Sequence, residues 1–96
     1  MLEKLTKGGS KDPFAWYELA LEYKGLGRMD DALTTFTTLR AQSPDYVAMY
    51  LMCGQMLAEH SRTDDARNWL EAGIEAARAK RDSHALSELE GALAAL

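Results

Sequence analysis

Few side chains in this chain are of a type that does covalent or acid–base chemistry. Cys53 is the single cysteine, and His60 and His84 are the two histidines. A thiol becomes a nucleophile beside a base or cation that lowers its pKa. Cys53 instead stands in a predicted helix rich in Met, Leu and Ala and is expected as a buried structural thiol rather than a nucleophile. No Cys-x-x-Cys or His-x-x-x-His spacing offers a metal its ligands. Two acid pairs, Asp30-Asp31 and Asp64-Asp65, have the composition of a general acid and base. Each pair lies at the start of a stretch with helical apolar spacing. There a carboxylate is favoured simply by the positive end of the helix dipole. Gly8-Gly9 precedes no strand–helix junction, so it is no phosphate loop. These residues predict no catalytic site, no metal and no cofactor, hence a protein that is not an enzyme.

The elements that carry these residues can be read from punctuation and periodicity. Asp12-Pro13 reads as a helix cap followed by a first helical residue, since proline has no N–H to leave unpaired there. Apolar residues follow at Trp16, Leu19, Ala20, Tyr23 and Leu26, a 3.6-residue period, and Gly25 and Gly27 end the helix. A second helix is predicted from about Met29 to Ser43-Pro44-Asp45, with Ala32, Leu33, Phe36 and Leu39 as its stripe. Its weak point is TTFTT, residues 34–38, which locally favours a strand. The stripe is helical, so the threonines are expected on the solvated side. A third helix is predicted from about Tyr46 to Glu59, a fourth from Thr63 to about Lys80, and a fifth from Ser83 to Ala95. Asp82 or Ser83 would cap the fifth, and Leu86, Leu89 and Leu93 would line it. Arg78, Lys80 and Arg81 gather at the end of the fourth. They read as a solvated helix terminus, with a basic docking patch as the other reading.

Composition bounds the function. The chain has 96 residues, enough for one domain that buries roughly 60–65% of its unfolded surface. Fifteen acids against eleven bases give a net charge of −4. Neutralising phosphates needs a basic surface, so a nucleic-acid partner is not expected, nor is an anionic membrane. MLEKLTKGGS lacks the apolar stretch of a signal peptide, and no run approaches a membrane span. One cysteine fits a reducing, cytoplasmic setting.

The chain also repeats itself. GRMDDALTTF at 27–36 returns as SRTDDARNWL at 61–70, an offset of 34 residues that superposes Arg28 on Arg62, Asp30 on Asp64, Asp31 on Asp65 and Ala32 on Ala66. A helix–turn–helix unit of that length signals a stacked array. The chain resembles the tetratricopeptide repeat family, which carries a large apolar residue, a Leu-small pair, an aromatic, an opening alanine, a second aromatic and a closing proline. The first unit matches at Trp16, Leu19, Ala20, Tyr23, Ala32, Phe36, Leu39 and Pro44. The second matches at Tyr50, Cys53, Gly54, Leu57, Ala66 and Leu70. It departs at Gly73, at Arg78 in place of proline, and at Ser61 where the first has Gly27. The resemblance implies an all-α fold, a right-handed α-α superhelix of antiparallel pairs with about five helices. It implies a leading segment at 1–11, repeats at 13–46 and 47–80, and a capping helix at 82–96.

In that family the first helix of each unit lines a concave binding face. The resemblance places Phe14, Tyr17, Leu21 and Lys24 there from the first unit, and Ala48, Leu51, Gln55, Ala58 and Glu59 from the second. The expected function is a non-catalytic scaffold or adaptor that binds a peptide or helix of a partner protein, with Lys24, Gln55 and Glu59 as orienting polar groups. The alternative is self-association, in which a second copy of the chain, or the leading segment with Leu2 and Leu5, covers Phe14 and Tyr17. Family members that grip chaperone C-termini use lysine and asparagine on groove positions. Here Tyr17 and Leu21 take those positions and the one asparagine, Asn68, lies on a second helix, so that specificity is not expected.

Overall fold

Asp12 starts the first helix as its sequence implies: the Phe14 backbone N–H donates to Asp12 Oδ1 at 3.0 Å, with Pro13 as the first helical residue. The computed structural model describes residues 12–96. Among these lie five helices: α1 (Pro13–Gly25), α2 (Met29–Gln42), α3 (Val47–Glu59), α4 (Thr63–Ala79) and α5 (Ser83–Ala94). The chain divides into two units at the Pro44/Asp45 junction. The first holds α1 packed on α2. The second holds α3 packed on α4, with α5 against α4 and, less extensively, α3.

Three helices end by one device. At Gly27, with φ of +76°, the N–H donates to Lys24 O at 3.1 Å, and the next N–H, that of Arg28, reaches back to Tyr23 O at 2.9 Å. This pair of bonds closes the orphan carbonyls of the last turn and needs a left-handed residue between them. Ser61 (φ +62°) repeats it, with Arg62 N–H donating to Leu57 O at 2.9 Å. Arg81 (φ +56°) repeats it again, with Asp82 N–H donating to Ala77 O at 2.9 Å. Only the first of the three uses the residue that takes this conformation without steric cost.

The repeated phrase starts helices. Arg28 precedes α2 and its Nε donates to Asp31 Oδ2 at 2.8 Å; Arg62 precedes α4 and its Nε donates to Asp65 Oδ2 at 3.0 Å. The Arg28 guanidinium also lies 4.8 Å from the centroid of the Tyr23 ring. Both ion pairs are about half exposed, so each is worth at most about 1 kcal/mol and serves more to set the turn than to hold the unit.

Close approach of helices rests on small residues. Ala20 on α1 and Ala32 on α2 are fully buried. In the second unit a Cβ on Gly54 would lie 3.6 Å from Ala66 O and 2.6 Å from Leu70 Cδ2, so α3 and α4 meet there. Gly73 is tighter: a Cβ would come within 2.5 Å of Tyr50 Cβ and 2.9 Å of Leu89 Cδ2. Gly73 therefore marks the point where α3, α4 and α5 converge. The expected departure from the family pattern at Gly73 has this physical reason.

Some expectations are corrected. Of the four threonines in α2, Thr35 is buried rather than solvated, and its hydroxyl donates to Asp31 O at 2.8 Å. Thr37 and Thr38 make the same bond one turn back, to Leu33 O and Thr34 O. A hydroxyl satisfied within its own helix can be buried at little cost. Trp16 is half-buried, whereas Trp69, absent from the expected core, is 7% exposed and packs its ring 6.0 Å from that of Tyr50. Of the three leucines expected to line α5, only Leu89 is buried; Leu86 and Leu93 are half-buried.

The left-handed turns and the close helix contacts can each be tested through stability. Replacing Ser61 and Arg81 together by glycine removes left-handed strain at both turns. It should stabilise the chain by about 1 kcal/mol and raise Tm by roughly 4–8 °C in a thermal melt followed by circular dichroism. Gly73→Ala should lower Tm by about 5 °C or more, since overpacking against the Tyr50 Cβ outweighs the helix propensity gained. Gly54→Ala should also lower Tm, because its Cβ would lie 2.6 Å from Cδ2 and 2.7 Å from Cγ of Leu70, whose side chain is itself fully buried.

Candidate binding surface

Helix α1 carries its expected row as four residues of graded exposure. Phe14 is 52% exposed, an unusual value for so large an apolar side chain, and Tyr17, Leu21 and Lys24 are half-buried. The row is separate from Leu19 and Ala20, which are buried on the other side of the same helix. The leading segment with Leu2 and Leu5, expected as a competitor for Phe14 and Tyr17, lies outside the described residues.

Helix α3 carries the second row in the other unit. Ala48, Gln55 and Glu59 are exposed, and Leu51 and Ala58 are half-buried. Met49, Tyr50, Cys53, Met56 and Leu57 occupy the opposite side and are buried, and Gly54, also buried, lies between the two sides. Cys53 is a fully buried thiol outside any disulfide, in accord with a structural role. The structure brings Gln55 and Glu59 together at an open cleft of about 360 Å³. Its α3 wall is Gln55, Ala58 and Glu59, its floor Gly54 and Leu70, and its far wall Ala92, Ala95 and Leu96 at the end of α5. Ala48 and Leu51 continue the row along α3 but do not line the cleft. The surface is apolar with two polar groups at one edge, an amide that can donate and accept and a carboxylate that attracts cations.

The far wall is what the sequence reading missed. The run GALAAL at 91–96 is predicted only as part of a cap, and its alanines at 92 and 95 are the signal for the wall. Small side chains three residues apart leave a shallow trough on a helix face.

Elsewhere the candidate chemistry is dispersed. His60 follows α3, with Nδ1 2.9 Å from Met56 O, and His84 pairs with Glu88 at 3.2 Å in α5. Asp64 and Asp65 pair with Arg67 and Arg62. Among the described residues no group of three or more His, Cys, Asp or Glu is placed to hold a metal ion, and no helix is long and apolar enough to cross a membrane.

With this geometry in view, comparison with known proteins assigns the class. The model of the tetratricopeptide repeat family matches residues 24–93, so the chain belongs to that family. It is similar to a tetratricopeptide repeat domain protein from Salinibacter ruber. The crystal structure of that protein shares 39% identity over 85% of this chain and 92% of its own, with a TM-score of 0.79. A solution structure of a tetratricopeptide repeat domain protein from the same organism gives 39% identity over 85% of this chain and 83% of its own, with a TM-score of 0.81. No curated protein matches the chain. The fold is thus all-α and of the tetratricopeptide kind, a fold that generally serves protein–protein interaction.

Proposed function

We propose that this chain is a non-catalytic interaction module that binds a peptide or helix of a partner protein on its first-helix faces. The observation that carries the reading is the α3/α5 cleft, where Gln55 and Glu59 edge an apolar trough of about 360 Å³ that no described residue fills. Such a trough takes a bulky apolar side chain, and the two polar groups fix the orientation of the chain that bears it. In this reading Leu51 and Ala48 extend the contact along α3, and the row Phe14, Tyr17, Leu21 and Lys24 supplies a further contact surface. The repeats at 13–46 and 47–80 and the cap at 82–96 are the units of this module. Apart from partner capture, nothing is required of the chain chemically.

Self-association is a second reading, favoured by the exposure of Phe14 (52%) and Leu26 (65%). Two such residues on one small chain suit burial against another copy.

Both readings make measurable claims. Affinity capture with the wild type should retain one or more proteins that a Leu51→Glu/Glu59→Lys double variant loses, while the variant's far-UV spectrum stays unchanged. Equal capture by a folded variant would reject the α3 surface. Sedimentation at micromolar concentration separates the second reading: a clean monomer of 10.7 kDa rejects it.

A further inference from the structure

The outer seam between α4 and α5 is a second groove, lying on a different face of α5 from the cleft above. One part, about 440 Å³, is floored by Ile74, Leu93 and Ala94 and rimmed by Glu71, Glu75 and Glu90. The next part, about 290 Å³, is lined by Ala77 and Leu86 and edged by Arg81, Asp82 and Ser83. Arg78 borders both. Its guanidinium sits 3.3 Å from Glu75 and 3.9 Å from Glu90, which leaves Glu71 and an excess of negative charge at the Leu93 end. At the Leu86 end the Asp82 carboxylate is already engaged as the α5 cap, accepting from the Ala85 N–H at 3.0 Å. Arg81 makes no ion pair among the described residues, and with the Asp82 carboxylate beside it that end is close to neutral, so the seam runs from a neutral end at Leu86 to a negative end at Leu93. The two half-buried leucines, Leu86 and Leu93, stand seven residues apart, about 10 Å along the helix.

The geometry points to an amphipathic helix of a partner protein as the occupant of this seam, with two large apolar side chains seven residues apart and a defined order of charge. Its apolar pair would enter the Leu86 and Leu93 pockets. An acidic residue in its first turn would meet Arg81, and lysines in its last turn would meet Glu71 and Glu75. That order also suits the partner helix's own dipole, which favours acids at its start and cations at its end, so it would run parallel to α5. Charge order, rather than apolar area, is what selects this occupant.

The test uses the full chain, ¹⁵N-labelled, and two synthetic helical peptides. Each peptide carries leucines seven residues apart on an alanine-rich helix. One has glutamates in its first turn and lysines in its last, and the other has the charges exchanged. The first should shift the amides around Ile74, Leu86 and Leu93 and leave those of Gln55 and Glu59 in place, and it should bind at least tenfold more tightly than the second. Glu71→Lys/Glu75→Lys, both exposed positions, should reverse that preference while the helical spectrum is retained. Equal binding of the two peptides overturns the proposal, as does a shift confined to the α3/α5 cleft. Concentration-dependent shifts at Leu86 and Leu93 without peptide also overturn it, since they would make a second copy the occupant. The seam and the cleft share no lining residue, so failure here leaves the proposed function standing.

Discussion

Close approach of helix backbones is the constraint on which the rest of this structure depends. A chain of 96 residues has little apolar surface to bury, and it does best where helices lie near enough for large side chains to interlock. That nearness needs positions with almost no side chain. Ala20 and Ala32 supply them in the first unit. Gly54 and Ala66 supply them in the second, and Gly73 admits α5 beneath Tyr50. Large residues then fill the space around each small one. Tyr50 packs on Trp69, Leu70 lies over Gly54, and Leu89 reaches Gly73. The same economy produces the candidate site, because Gly54 and the alanines of α3 and α5 leave a trough that their neighbours do not fill.

The turns are as repetitive as the core. Gly27, Ser61 and Arg81 take one left-handed conformation and close one pattern of hydrogen bonds, although their side chains have nothing in common. The backbone requirement comes from the helix end, which must satisfy its carbonyls and reverse direction within two or three residues. Glycine meets that requirement freely, and serine and arginine meet it under strain. The Arg-x-x-Asp pairs that follow the first two turns are local and half exposed. They mark the starts of α2 and α4.

Much of this was legible from residue order. The cap at Asp12, the stops at Gly25 and Gly27, the helical stripe through the threonines of α2, and the acid pairs at the starts of α2 and α4 all act within one or two turns of the chain, so their signals are local. The burial of Thr35 was not legible, because it depends on a hydroxyl finding its own carbonyl and on what packs above it. Trp69 was missed for a related reason: at 69 it falls one residue before the expected apolar position at Leu70, and both turn out to face the interior. Of the expected site, Gln55 and Glu59 line the cleft of their unit. Ala92, Ala95 and Leu96, which face them, lie at the end of α5, whose residues the sequence predicts only as a cap.

The sequence by itself determined where helices begin and end, which of their residues are small, and that one unit recurs after 34 residues. These are properties of single helices and of short turns, set by capping, dipole and periodicity. Only the tertiary structure decided how the apolar residues of α5 are used. Leu89 goes to the core, Leu86 and Leu93 edge one groove, and Ala92, Ala95 and Leu96 wall another. The physical reason is that α5 is covered on part of its circumference by α4 and α3. Periodicity names the apolar positions of a helix, while burial depends on which neighbours arrive and how closely Gly73 and Gly54 let them come.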